Sequence, residues 1–85
     1  MKTFNYIIKD EIGIHARPAG LLAKEAKGLD STITISCNGK SADAKKLMAL
    51  MAMGVKHNDE ITVTVEGGNE EEIAAHMEEF FRNNL

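Results

Sequence analysis

Residues 13–20 read Gly13-Ile14-His15-Ala16-Arg17-Pro18-Ala19-Gly20. A histidine, an arginine and a proline this close together suit a reactive site. Pro18 fits only in the first turn of a helix, because it has no N–H to donate and would clash deeper in. That requirement puts a helix start at this point and His15 at or next to the N-cap. The N–H groups of Ala16 and Arg17 then lack an intrahelical acceptor and lie at the positive end of the helix dipole. Such a terminus is a ready anion site. Arg17 adds a guanidinium that can grip two phosphate oxygens at once, and Gly13 lets the preceding backbone turn tightly.

A histidine in that place has a specific capacity. The positive terminus and Arg17 disfavour the imidazolium, so the neutral, nucleophilic ring is favoured near neutral pH. A neutral imidazole nitrogen can attack phosphorus without a general base, since it carries no proton. The acquired phosphoryl group would lie against the free N–H groups and Arg17, so one arrangement would both activate the nucleophile and hold the anionic product. The same residues also suit a plain N-cap or surface histidine, and the spacing leaves both readings open.

The elements that must position this stretch can be read from periodicity. Residues 2–8 alternate, with Phe4, Tyr6 and Ile8 on one side, as a strand does. Residues 16–27 carry Ala19, Leu22, Ala23 and Ala26 at helical spacing and stop before Gly28. Residues 32–37 alternate again, Ile33, Ile35 and Cys37 against Thr32, Thr34 and Ser36. Asn38-Gly39 then supplies a type I′ hairpin turn, and a short strand near 40–43 should return. A short helix near 46–53 is halted by Gly54. Residues 60–66 alternate as a strand and are broken by Gly67-Gly68. Asn69 as N-cap with Glu72 three residues on predicts a capping-box-like start to a last helix, with Glu70, Glu71 and Glu72 in its favourable first turn. Its apolar stripe is Ile73, Met77, Phe80 and Phe81, and His76 flanks that stripe as a partly exposed packing residue. The order β-α-β-β-α-β-α, with one Thr/Ser sheet face able to meet water, predicts a two-layer α+β domain with a mainly antiparallel sheet.

Size and charge narrow the function. At 85 residues the chain has room for one domain, expected to span 1–85, and a core too thin to enclose a deep pocket as well. One Cys excludes an internal disulfide. There is no apolar run of membrane-spanning length and no signal-peptide-like start, so a soluble cytoplasmic domain without membrane insertion is expected. The net charge of -3 is unevenly spread. From Arg17 to Lys56, seven bases face three acids, about +4, whereas from His57 to Leu85 one base faces eight acids, about -7. An acidic total argues against a nucleic-acid module, and a basic region on an acidic body suits an anionic ligand or an acidic protein partner. Lys24, Lys27 and Lys45 would form its rim. Leu47, Met48 and Met51 recur on the short middle helix, which cannot bury them all, and exposed Met suits a surface that must fit several partners.

The other candidates carry less. His57 reads as a surface loop residue, and the three histidines are too scattered for a metal motif. Cys37 points with Ile33 and Ile35, as a small core residue rather than a nucleophile. Glu70-Glu71-Glu72 reads as a solvated cap.

The segment Gly13-Ile14-His15-Ala16-Arg17-Pro18-Ala19 resembles the active-site signature of the HPr family, the histidine phosphocarriers of the bacterial sugar phosphotransferase system. The likeness extends through Asn38-Gly39-Lys40, Ala44-Lys45-Lys46-Leu47-Met48, Met51 to Gly54 and the Glu-rich last helix. It implies an open-faced β-sandwich, a four-stranded antiparallel sheet with three helices on one face. It implies a carrier rather than an independent enzyme. The carrier takes a phosphoryl group from phospho-enzyme I, charged by phosphoenolpyruvate, on Nδ1 of His15, and passes it to sugar-specific IIA domains. Arg17 would assist, and Ala16 and Arg17 would hold the phosphate. Leu47, Met48 and Met51, with Gly20 and the lysines of the rim, would dock partners. No cofactor or metal is implied in the carrier, and a monomer is expected. The other reading is a regulatory paralogue that signals metabolic state through phosphorylation-dependent protein binding.

Three positions depart from the family pattern. Ile12 stands where a polar residue is usual, and Gly20 where alanine is more common. Lys46 occupies the place of the serine that many members present to a regulatory kinase; lysine cannot take that phosphate and reverses the charge it would bring. Incubation with the serine kinase and labelled ATP should therefore give no incorporation at any residue, and incorporation would contradict this reading of Lys46.

Overall fold

The computed structural model describes residues 1–14 and 16–85. Seven elements follow one another: β1 (Lys2–Ile7), α1 (Ala16–Lys27), β2 (Thr32–Cys37), β3 (Lys40–Asp43), α2 (Leu47–Ala52), β4 (Glu60–Glu66) and α3 (Glu70–Asn84). The strands form one antiparallel sheet in the order β1-β4-β2-β3. The two hydrophobic periods thus sort the chain into the expected α+β arrangement.

The register explains the two faces. Phe4 lies opposite Val63, Val63 opposite Ile35, and Ile35 opposite Ala42, giving one apolar row across all four strands. The neighbouring row runs Asn5, Thr62, Ser36 and Ser41, and in it the Thr62 hydroxyl donates to the Asn5 side-chain oxygen at 2.9 Å. The polar face stays half-open to water. The apolar face is covered by Ala19, Leu22, Ala23 and Ala26 of α1, Leu50 of α2, and Ile73, Met77 and Phe81 of α3. An open-faced sandwich results, three helices on one side of the sheet. Phe81 is fully buried against the edge strand β1, with ring centroids 6.2 Å from Phe4, 5.6 Å from Tyr6 and 6.0 Å from Phe80.

The Asn38-Gly39 turn has the positive φ angles, 52° and 80°, that a type I′ hairpin demands. Gly54 stops α2 with a φ of 68°. Gly68 also has a left-handed φ, and a Cβ there would fall 2.5 Å from the Asp30 carbonyl oxygen.

Four expectations need correction. β1 ends at Ile7, not residue 8, because the Ile8 backbone leaves the sheet ladder to bond Asp59 and Asn58, although its side chain remains buried. α2 spans Leu47–Ala52, with Lys46 and Met53 as its caps rather than its ends. The capping box does not form. Asn69 makes no side-chain cap bond, and Glu70, the first helical residue, instead binds the turn before the helix: its Oε2 accepts from the Gly67 N–H at 2.7 Å and its Oε1 pairs with the Met1 amine at 2.5 Å. The turn of Gly67 and Gly68 carries that N–H to Glu70, and the amine, then the Gly67 bond, holds the Glu70 carboxyl below its ordinary range. Finally, His76 is exposed rather than packed, and its Nε2 meets Glu25 Oε2, tying α3 to α1.

The position of Phe81 gives a measurable expectation. Phe81→Ala should lower the unfolding free energy by about 3–5 kcal/mol, and Phe80→Ala, truncating a half-buried ring, by clearly less. Urea titrations of the two variants compare them directly.

Candidate functional site

The helix start predicted from Pro18 is where α1 begins. Ala16 is its first residue and Pro18 its third, and Pro18 and Ala19 are buried while Ala16 and Arg17 are exposed. The N–H groups of Ala16 and Arg17 precede the point at which intrahelical bonding can begin. His15 itself, the expected phosphoryl acceptor, lies outside the described residues.

What leads into the site is tightly held. The Lys9 and Asp10 N–H groups both donate to the Leu85 carbonyl, at 2.6 and 2.8 Å. Ile12 N–H donates to Asp10 Oδ1 at 2.9 Å, and Gly13 N–H to the Asp10 carbonyl at 3.2 Å. Ile14 N–H then donates to the Val55 carbonyl at 3.1 Å, and its side chain is buried. Gly13 makes this possible. Its φ is +88°, and a Cβ built there would lie 2.2 Å from the Val55 carbonyl oxygen and 2.7 Å from Lys56 Cα. Only a residue without a side chain can pass between those atoms. The loop after α2 is itself braced, with Lys56 N–H donating to Asp59 Oδ2 and Asn58 N–H to the Ile8 carbonyl. His57 stays on the surface, its Nδ1 3.2 Å from the Asp10 carbonyl oxygen.

Arg17 makes no ion pair with any described residue. It lines a surface cleft of about 310 Å³ together with Asp10, Pro18, Leu21, Asn83 and Asn84. The amides from the end of α3 and the Asp10 carboxylate were not anticipated as site residues. They reach the cleft through the bonds of Leu85 to the Lys9–Asp10 backbone, a contact between the two ends of the chain that has no local sequence signal.

The basic and apolar candidates fall on the packed pair α1 and α2. Lys24 and Lys27 are exposed in the last turn of α1, and Lys45 is half-buried before α2, its N–H bonded to Asp43 Oδ1. Leu47, Met48 and Met51 are all exposed, whereas Leu50 between them is fully buried. The six-residue helix therefore shows the division its pattern implied. Ile12 is 68% exposed, an apolar side chain beside the helix start. Lys46 is exposed at the N-cap of α2. Gly20 has open space where a Cβ would stand, so nothing in the packing requires glycine there. Cys37 is buried, and burial, then the Asp59 carboxylate, pushes its thiol above the usual value. Among the described residues, no group of three His, Cys, Asp or Glu side chains could hold a metal ion, and no helix is long and apolar enough to cross a membrane.

Comparison with known proteins gives consistent matches. The family described as "PTS HPr component phosphorylation site" matches residues 2–83. The phosphocarrier protein HPr of Mycoplasma genitalium is 43% identical over 76 residues, covering 88% of this chain and 86% of its own. That of Mycoplasma capricolum is 46% identical over 69 residues, 81% of this chain and 78% of its own. A crystal structure of HPr-C-His from Thermoanaerobacter tengcongensis superimposes with a TM-score of 0.91 at 31% identity, covering 99% of this chain and 94% of that one.

Two glycines next to the helix start should respond in opposite ways. Gly13→Ala should cost on the order of 3 kcal/mol, from the left-handed φ and the backbone contact together. Gly20→Ala, in an open helical position, should add about 0.5–1 kcal/mol. Denaturant titrations, with amide exchange at Ile14 for the first variant, measure both.

Proposed function

This chain belongs to the HPr family of the phosphotransferase system, and from that premise we propose that it carries a phosphoryl group on His15 between two proteins. The donor is phospho-enzyme I and the acceptors are IIA domains of sugar permeases. The observation that supports this most is the exposed start of α1. Its Arg17 guanidinium is unpaired among the described residues and stands beside N–H groups that the helix leaves without acceptors.

The transfer proceeds as a displacement at phosphorus. The lone pair on Nδ1 of His15 forms a bond to phosphorus, and the bond from phosphorus to the donor breaks, its electrons leaving with the donor. The Ala16 and Arg17 N–H groups and the helix dipole stabilise negative charge on the phosphoryl oxygens, and Arg17 grips two of them. The second transfer reverses the roles. His15 releases the group it accepted, so the holding site must not bind it too tightly. An exposed arginine and two amides in water meet that condition better than a closed pocket would.

The chain acts as a carrier and completes no turnover alone, as each half of the reaction needs a second protein. The apolar surface of Leu47, Met48 and Met51, with Lys24, Lys27 and Lys45 around it, docks both partners. Gly20 lies on the α1 side of that surface. The carrier works as a monomer in the cytoplasm and requires no cofactor of its own. A regulatory paralogue is the second reading, favoured by one observation: Ile12 exposes an apolar side chain where a polar neighbour would assist the phosphohistidine.

Incubation with enzyme I and phosphoenolpyruvate, followed by intact mass measurement, tests the proposal. One acid-labile phosphoryl adduct is expected, absent in His15→Ala, with Arg17→Ala slowing its formation roughly 10- to 1,000-fold. No adduct, or an adduct retained in His15→Ala, would contradict it. Onward transfer to a IIA domain separates the carrier from the regulatory paralogue.

A further inference from the structure

We propose that Met48 and Met51 are an oxidation site, at which a hydroperoxide converts the thioethers to sulfoxides and weakens docking at α2. The inference rests on the docking face proposed above.

The chain has five methionines and one cysteine, and the fold sorts them sharply. Met53 and Met77 are only 8% and 0% exposed, inside the core. Met48 is 76% and Met51 40% exposed, one helical turn apart. The thiol that would ordinarily intercept an oxidant is withdrawn. Cys37 is buried, and its raised pKa disfavours the thiolate that reacts. A thioether needs no deprotonation, so the two exposed sulfurs of α2 are available to a dissolved oxidant. The other exposed sulfur, Met1, is held at the start of α3 through its amine and Glu70, apart from the docking helix.

The step is balanced by the peroxide. A sulfur lone pair attacks one peroxide oxygen, the S–O bond forms and the O–O bond breaks. The departing oxygen takes a proton and leaves as water or an alcohol. Sulfur is oxidised by two electrons and the peroxide reduced by two. The product replaces a flexible apolar tip with a polar one, which must lose water when a partner covers it. Leu47 remains apolar, so docking is weakened rather than abolished. No charge is added, so the contribution of the lysine rim is unchanged.

The test treats the full chain briefly with hydrogen peroxide, maps oxygen addition by peptide mass, and measures phosphoryl transfer from phospho-enzyme I. Oxygen should appear at Met48 and Met51 well before Met53 and Met77. KM for the carrier should rise roughly tenfold with kcat little changed, with the same salt dependence. Methionine sulfoxide reductase should restore KM. The double variant Met48→Leu, Met51→Leu, compared with its own untreated rate, should lose nothing on the same treatment although Met1 is oxidised. Oxidation of Met53 or Met77 as early as Met48 would overturn the proposal. So would an unchanged KM after Met48 oxidation in a protein whose KM does respond to Met48→Lys. If Met48→Lys leaves KM unchanged as well, the docking reading itself has failed.

Discussion

The approach of Gly13 to the Val55–Lys56 backbone is the constraint on which the rest depends. A side chain there would have to occupy the same space as a carbonyl oxygen 2.2 Å away. The contact lets Ile14 bond Val55 and bury its side chain, which fixes the chain just before α1. From the other side, Pro18 and Ala19 are buried against the core. The position between these two anchors belongs to His15. The backbone on both sides of it is therefore set by long-range packing. A helix terminus holds an anion well only if its N–H groups already point the right way, so that no ordering cost falls on the ligand.

A core this thin leaves no room to bury a reaction, and the fold does not attempt it. The sheet keeps one face in water, and the helices that cover the other present Arg17, the lysines and the exposed side chains of α2 outward. For a carrier this is functional. A site enclosed by its own protein could not meet two different partners, whereas an open face lets each partner exclude water in turn. The charge distribution serves the same end. Five of the acids lie on α3, whereas Arg17, Lys24 and Lys27 make α1 basic, and a basic face can steer an acidic surface without neutralising the whole molecule.

Much of the fold was legible because it rests on local patterns. The alternation of Ile33, Ile35 and Cys37, the Asn38-Gly39 turn and the Ala19–Ala26 spacing each specify an element with little help from elsewhere, and α1, β2, β3 and β4 fall where those patterns put them. The helix start at Ala16 was legible because proline's missing N–H is a local fact. What escaped was set by distant contacts. Glu70 is drawn to the glycine turn and the Met1 amine, which converge on it, and His76 meets Glu25 on a neighbouring helix. Asn83 and Asn84 join the cleft beside Arg17 because α3 packs on the sheet and Leu85 bonds the Lys9–Asp10 backbone. No window of sequence around residues 13–20 contains that information.

On the proposed function, this chain accepts its phosphoryl group at one ring nitrogen of one histidine. Nitrogen-15 NMR of the histidine rings, recorded before and after phosphorylation by enzyme I, tests it most directly. Phosphorus coupling and a large shift are expected at Nδ1 of His15, with the rings of His57 and His76 unchanged. Phosphorus on Nε2 of His15, or on either of the other two rings, would contradict it.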